Sequence, residues 1–596
     1  MRNAKIVCTL GPASSDRSTV RALADAGMTV ARINASHGTR EDRADLIDTV
    51  RRVDEATPQP LAVMLDLQGP EIRTAAVDEA VHLEAGSTVR FTPGDEVTAE
   101  TVGLSVSLSN ADPGDRILLD DGRIETVVDH VEDDDVVVRV ESGGDLGSRK
   151  GVNVPGVELG LDPVTEKDRE DLRLAAGKRP DRDAESRDDL ERAVDFVAAS
   201  FVRDADDVLE VNKVLEEFGA DVPIVAKIER RGAVENLDEI LDAAYGVMVA
   251  RGDLGVECPM EDVPMIQKRI IRKCQAAGVP VITATEMLDS MVHAPRPTRA
   301  EASDVANAVL DGTDAVMLSG ETAVGDHPVR VVEAMDRIVR EVESSAEYDE
   351  TLEQRVPTAD DTRTDALARS ARYLARDIGA SAVVAASESG YTALKVAKFR
   401  PPVPVVATTP NHRVRRELAL SWGVNAQYSD LGDSVETIID DGVQAALDAG
   451  VAESGDTVVV LSGMMSDLDA QDATNMLKVH VAAETIATGR SVVRGQTVGP
   501  VERTATGDLT GISEGTILVL DPDFDGEFTG DASRLAGIVD ARPGMTGYPA
   551  MVARELEIPM ISGAPLGARV GDGDVVTLNA ERGVVYEGDV RSRDRR

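Results

Sequence analysis

Over residues 1–345, short apolar runs rich in β-branched residues alternate with amphipathic stretches whose apolar positions recur at helical spacing. The runs are KIVCTL (5–10), VARIN (30–34), LAVMLD (61–66), FVAAS (196–200), PIVAKI (223–228), YGVMVA (245–250), VPVITAT (279–285) and DAVMLS (314–319). Between them lie helical patterns such as 17–26, 40–55, 205–218 and 260–276. Continuous apolar strands alternating with helices predict a parallel sheet buried on both faces, hence an α/β fold. Eight of them predict a closed (β/α)8 TIM barrel. An open doubly wound sheet is the alternative.

The rhythm breaks after the third run. Residues 71–154 alternate apolar and polar with period two between Gly and Asp turns, as in RILLDDGRIETVVDHVEDDDVVVRV, which predicts an inserted all-β domain. A β-barrel lid that excludes water from a site is its natural role, with a purely structural insertion as the alternative. Residues 177–193 (GKRPDRDAESRDDLERA) predict a solvated charged loop, and 346–363 a polar linker. The α/β alternation resumes in AVVAAS, VPVVATT, VNAQYS and DTVVVLS, a separate open sheet, and the Gly-rich tail carries its own apolar runs. The expected domains are the barrel (1–70 and 155–345), the lid (71–154), an α/β C-terminal domain (357–487) and a small extra α/β domain (488–596).

Composition narrows the function. The chain has 596 residues, room for about four domains. Its net charge of −45 repels phosphate backbones and anionic bilayers, so neither nucleic acid nor membrane is an expected partner. Only 11 lysines stand against 52 arginines. Abundant carboxylates with scarce lysine suit a salt-filled, halophilic cytoplasm, where screening weakens self-repulsion; an ordinary acidic cytosolic enzyme is the alternative. Cys8, Cys258 and Cys274 are too far apart to form a metal-type pair and read as reduced core thiols. The N-terminus lacks an apolar signal region and no stretch is long enough to span a bilayer, so a cytoplasmic protein is expected.

Every barrel run ends in polar chemistry: Gly11-Pro12, Asn34 and Ser36, Asp66, Ser200, Lys227 and Glu229, Arg251 and Asp253, Thr285, then Ser319 and Glu321. In a barrel these ends converge on the face that carries active sites. Lys227 and Glu229, two apart on a strand, face the same side; a local ion pair is the plain alternative. Glu229 and Asp253 could hold Mg²⁺ or Mn²⁺ with substrate oxygens and water. Backbone amides after Arg251 could bind a carboxylate, and Lys227 with Arg32 could stabilise a phosphoryl group in transfer. Together they suit a small molecule bearing both carboxylate and phosphate. Glycine-rich phosphate loops of the P-loop or dinucleotide type are absent.

The stretches CTLGPAS (8–14), ARINASHG (31–38), LDLQGPEIR (65–73), RKGVNVPG (149–156), AKIE (226–229), MVARGDLGVE (248–257), ATEMLDSM (284–291), RPTRAEASDVANAV (296–309) and MLSGETAVGDHP (317–328) closely resemble the pyruvate kinase family, in the family's order. The resemblance covers residues 1–487. It implies transfer of the phosphoryl group of phosphoenolpyruvate to ADP, followed by protonation of the enolate to pyruvate, the last step of glycolysis. It further implies Glu229 and Asp253 as ligands of the divalent metal, and Lys227 and Arg32 at the phosphoryl group. Gly252, Asp253 and Thr285 would hold the substrate carboxylate. Asn34, Ser36, Asp66 and the carbonyl of Leu67 would bind K⁺, and Asn34, His37 and Lys150 would lie near the nucleotide. Thr285, Ser319 and Glu321 are implied in protonation, and a homotetramer is expected by resemblance.

Several positions depart from the family pattern. Leu67 and Gln68 replace the common Thr-Lys, which a carbonyl ligand tolerates, and Glu71 is the type that accompanies K⁺ dependence. Glu286 replaces a common Gln. SESGYT (387–392) stands where relatives carry a phosphate-binding effector loop, and a plain turn is the alternative. The segment PGMTGYPAMVARELEIPMISG (543–563) resembles the mobile phosphohistidine domain of phosphoenolpyruvate-utilising enzymes, with Tyr548 at the histidine position. The last histidine of the chain is His480, so the tail is expected to be a structural or regulatory remnant. A swivelling dikinase would need that histidine. A non-catalytic regulatory protein would predict losses among Lys227, Glu229, Asp253 and Thr285, all of which are present.

Overall fold

Eight parallel strands close into a barrel in the computed structural model, which describes residues 2–178, 193–430, 432, 434–463, 474–483, 485–567 and 570–590. They are β1 (Lys5–Leu10), β2 (Val30–Asn34), β3 (Ala62–Asp66), β4 (Phe196–Ala199), β5 (Ile224–Ile228), β6 (Gly246–Ala250), β7 (Val281–Ala284) and β8 (Ala315–Leu318). Each pairs in parallel with its neighbours, and β8 returns to β1. The expected (β/α)8 barrel is therefore present and the open sheet is excluded. The runs 279–285 and 314–319 shorten at their starts. Pro280 has no N–H to pair, and Val281 N donates to the Asp314 carboxylate (3.0 Å), while the Asp314 backbone donates to Val281 O (3.0 Å) and accepts from Lys5 N (2.8 Å).

The interior follows from the period of two. Val7, Val30, Ala62, Met64, Phe196, Ala198, Val225, Met248, Ile282, Ala315 and Met317 form one buried cluster inside the barrel. Continuing the same alternation toward the C-terminal end reaches Thr9, Arg32, Asp66, Ser200, Lys227 and Ser319 on six of the strands, and Ala250 and Ala284 on β6 and β7. The axis is thus apolar below and polar at one rim. At the other end, Lys5 donates to the carbonyl of Val424 (2.7 Å), and Ala419 and Leu420 join the interior cluster. Alternate residues point outward into the larger core beneath the helices.

The insertion folds separately. Seven strands run in the order Ile72–Arg73, Gly151–Asn153, Arg116–Leu119, Ile124–Glu132, Asp135–Ser142, Thr88–Pro93 and Thr101–Leu104. A bridge between Thr74 and Leu104, with Ser105 N donating to Arg73 O (3.0 Å), joins the two edge strands into a small β-barrel. Phe91, Val89, Val138 and Leu119 are among the residues of its own core.

One expectation is corrected. The polar linker at 346–363 begins as a helix, Ala346–Gln354, capped by the Ser345 side chain. Tyr348 and Leu352, four apart, are buried, and the Tyr348 hydroxyl accepts from Trp422 Nε1 (3.0 Å). Two apolar residues at one-turn spacing outweigh the polarity of the rest. The charged stretch 177–193 lies, apart from residues 177, 178 and 193, outside the described residues.

The chain divides into two compact units: 1–358 with 397–400 and 411–426, and 359–396 with 401–410 and 427–596. The second unit carries two sheets. One includes, in order, strands Val405–Thr409, Ala382–Ala386, Thr457–Ser462 and Met476–Val481, the last antiparallel. The other has eight strands, begins at Thr485–Thr488, and packs the helix Tyr548–Glu555 against strands Leu535–Asp540 and Arg490–Val493. Tyr548 lies edge-on to Phe528, which stacks on Phe524. All three cysteines are free and buried, and no described helix is long and apolar enough to cross a membrane.

Candidate active site

The polar rim of the barrel holds one connected cluster. Arg32, on β2, donates through Nε to Asp66 Oδ2 (2.6 Å) and through a terminal nitrogen to Thr9 Oγ1 (2.8 Å). Lys227, on β5, places Nζ 3.3 Å from Asp66 Oδ1, 2.8 Å from Glu229 Oε1 and 2.8 Å from Ser200 Oγ. Ser200 in turn donates to the carbonyl of Leu67 (2.7 Å). Asp66 and Glu229 are each 1% exposed. Four charged groups this deep persist because each faces an opposite charge or a hydrogen-bond donor.

Electrostatics divide the three acids. Burial would raise Asp66, but Arg32 and Lys227 outweigh it and hold its carboxyl below the ordinary range. Burial likewise opposes the Lys227 ammonium, yet Asp66 and Glu229 keep it charged well above its ordinary value. Glu229 is pushed up to about 7, first by burial and further by the charge of Asp253, against the pull of Lys227. Burial also raises Asp253, with Asp121 and Glu71 adding to it. Of these three acids, Glu229 and Asp253 are therefore the two whose charge the protein compensates less fully than that of Asp66. Two under-compensated carboxylates fit a divalent cation whose remaining ligands come from substrate and water. Among the described residues no group of three or more His, Cys, Asp or Glu side chains gathers as a protein-only metal cage. The oxygen-donor set Asn34, Ser36, Asp66 and Leu67 is also compatible with a cation. Asn34 and Asp66 are register partners on β2 and β3, and the buried Asp66 Oδ1 faces the Lys227 ammonium, at 3.3 Å. Asn34 Oδ1 already accepts from Ser36 N (3.0 Å).

The third part of the rim joins β6 and β7. The helix Arg251–Glu257 starts directly at the end of β6, and Gly252 N lies 3.3 Å from Thr285 Oγ1. A Cβ on Gly252 would meet Thr285 Cγ2 at 2.9 Å, so only glycine allows this approach. Thr285 and Glu286 adopt φ of 76° and 50°. A β-branched residue in that region costs about 1–3 kcal/mol, the kind of strain that collects at working sites. Arg251 holds the strained turn: Nε donates to Ala284 O (3.0 Å), a terminal nitrogen donates to Thr285 O (2.8 Å), and its guanidinium pairs with Asp304 (2.7 Å).

A cleft of about 880 Å³ opens beside this rim and is lined in part by Arg32, Asn34, His37, Ser319 and Gly320. Glu321 is buried behind it and accepts from Ser319 N (2.6 Å) and Leu288 N (3.0 Å); burial raises its carboxyl against these donors. Lys150 is not among the residues lining this cleft. It is on the inserted barrel, paired with Asp120 (2.8 Å). In the SESGYT segment, the Thr392 hydroxyl is taken up by Thr474 (2.8 Å).

Some partners were not assigned from sequence. Ser200 was visible as a polar strand end, but its bridge from Lys227 to Leu67 depends on three strands in register. Thr9 and Asp304 lie within the stretches 8–14 and 296–309, but no role marks them there; only the fold brings them to Arg32 and Arg251.

Comparison with known proteins agrees with this geometry. Residues 1–332 match the family model described as pyruvate kinase, barrel domain; 365–480 match pyruvate kinase, alpha/beta domain; and 512–583 match PEP-utilising enzyme, mobile domain. A pyruvate kinase of Geobacillus stearothermophilus is 41% identical over 597 residues, covering 98% of this chain and 99% of that protein. One of Bacillus licheniformis is 39% identical over 599 residues, covering 99% of both.

Proposed function

The chain belongs to the pyruvate kinase family and catalyses the pyruvate kinase step of glycolysis, and from that premise we propose how its rim residues divide the reaction. The observation that carries the reading is the cluster of Lys227 with Asp66, Glu229 and Ser200 at the polar end of the barrel axis. Phosphoenolpyruvate binds with its carboxylate toward the amides of Gly252 and Asp253 and the Thr285 hydroxyl. Its phosphoryl group lies toward Lys227 and Arg32. The bond from phosphorus to the enol oxygen breaks as one to the terminal oxygen of ADP forms. Lys227 and Arg32 face the charge on the transferring group, and being buried and already oriented they need little reorganisation. The enolate then takes a proton at its methylene carbon, with Thr285, Ser319 and Glu321 organising the delivery. ADP occupies the cleft lined by Asn34 and His37, with Lys150 reaching it from the lid.

Pyruvate kinases use metal ions. Glu229 and Asp253 would hold Mg²⁺ or Mn²⁺, which when bound supplies Lewis-acid neutralisation of phosphoryl and enolate oxygens. Asn34, Ser36, Asp66 and the Leu67 carbonyl would hold K⁺. We read the chain as four domains (barrel 1–70 and 155–345, lid 71–154, α/β domain 357–487, tail 488–596) in a cytoplasmic homotetramer adapted to high salt.

Two measurements test the roles. Glu229→Gln removes one of two carboxylates and is expected to raise the Mg²⁺ concentration giving half-maximal pyruvate formation by at least about tenfold to a hundredfold. An unchanged Mg²⁺ dependence, with the fold intact in high salt, would remove Glu229 from the metal site. Gly252→Ala pushes against Thr285 and is expected to raise KM for phosphoenolpyruvate by about tenfold or more, with KM for ADP little altered. Equal effects on both substrates would place the disturbance elsewhere.

A further inference from the structure

Within the second unit, a cavity of about 540 Å³ lies between strand Met476–Val481 and the terminal sheet. None of its lining residues belongs to the active site or to the 387–392 segment. Lys478, His480 and Arg582 line it together with Gln496, Asn579 and Tyr586. Three basic side chains around one cavity are conspicuous in a chain of net charge −45 that has only 11 lysines. Lys478 and His480 are two apart on one strand and so share a face. Neither forms an ion pair among the described residues.

The acids nearby compensate weakly. Glu436 approaches Arg582 at 3.3 Å, but its side chain is 74% exposed, and such exposed pairs contribute little. Asp440, on the same helix Val435–Asp448, is raised by burial despite Arg582 and Lys478. Burial and those two cations push His480 down to about 4. The lining therefore offers a fork-shaped donor, a point charge and a ring nitrogen, flanked by two amides and a phenol. That set matches a tetrahedral dianion, and arginine forks suit phosphate oxygens in particular. The volume exceeds what a bare ion needs and falls within the range of small organic ligands.

We propose that this cavity is a binding site for a small phosphate ester, its phosphoryl group held by Lys478, His480 and Arg582 and its organic part against Tyr586. Binding places negative charge beside His480, and the imidazole then holds its proton to higher pH.

The test uses the full chain with ¹³C-labelled histidine rings at fixed salt, with the His480 signal assigned by its loss in His480→Gln. Inorganic phosphate and phenyl phosphate are the probes. Phenyl phosphate is expected to raise the His480 titration midpoint by at least about one unit and to bind at least about tenfold more tightly than inorganic phosphate. Lys478→Gln, at an exposed position, and Arg582→Gln are each expected to abolish the shift while leaving the kcat of pyruvate formation unchanged. A midpoint that neither probe moves overturns the site. So does a shift that survives both substitutions. Equal affinity for the two probes overturns its assignment to an ester.

Discussion

Lys227→Met is expected to lower kcat for pyruvate formation by at least about three orders of magnitude, with a much smaller change in KM for phosphoenolpyruvate. The side chain is buried and held by Asp66, Glu229 and Ser200, so its charge stands in place before substrate arrives. A preorganised cation in a dry site matters most where charge is redistributed, in the transition state, which is why the loss falls on kcat. A thousandfold loss corresponds to about 4 kcal/mol of transition-state stabilisation. Methionine keeps an unbranched chain one atom shorter and leaves Arg32 its contacts with Asp66 and Thr9. Lys227→Arg is expected to fail nearly as badly. A planar fork cannot reproduce three contacts made around a single nitrogen. Steady-state kinetics at saturating Mg²⁺, with near-UV circular dichroism to establish the fold, decides the matter. More than about a tenth of wild-type kcat in Lys227→Met would remove this ammonium from the phosphoryl step.

The barrel was legible because a strand buried on both faces must be apolar along its length, and eight such runs leave few architectures. Position within a run carried the site as well, since the interior alternation that begins at Val30, Met64 and Val225 ends at Arg32, Asp66 and Lys227. What periodicity reports is burial, not long-range pairing. The closure of the inserted barrel rests on one bridge between Thr74 and Leu104, thirty residues apart, and nothing in either residue announces it. The left-handed backbone at Thr285 was hidden for the opposite reason: local preference argues against it, and the guanidinium of Arg251 helps hold it. Tyr348 and Leu352 were obscured by the acidic residues around them. Ser200 needed the register of β3, β4 and β5 before its bridge could be seen.

Asp66→Asn is expected to cost about 3–5 kcal/mol of stability, the scale found when a buried ion pair loses one member. The carboxylate is the shared counter-charge of Arg32 (2.6 Å) and Lys227 (3.3 Å), and an amide leaves Arg32 without a carboxylate partner beside a Lys227 held by Glu229 alone. Chemical denaturation should show a lower midpoint with an unchanged slope. The double variant Asp66→Asn/Lys227→Met makes the test specific. Removing one of the two cations relieves the repulsion that the first substitution creates, so the double loss should fall short of the sum by about 1–3 kcal/mol. Losses that add to within about 0.5 kcal/mol would mean that Asp66 and Lys227 act independently despite their separation. Salt provides a further discriminant, because screening acts on exposed charges and barely reaches a carboxylate that is 1% exposed. The coupling is therefore expected to persist in concentrated KCl, while the self-repulsion of the −45 surface fades. A coupling that disappears with added salt would place the pair in solvent and the cluster outside the barrel interior.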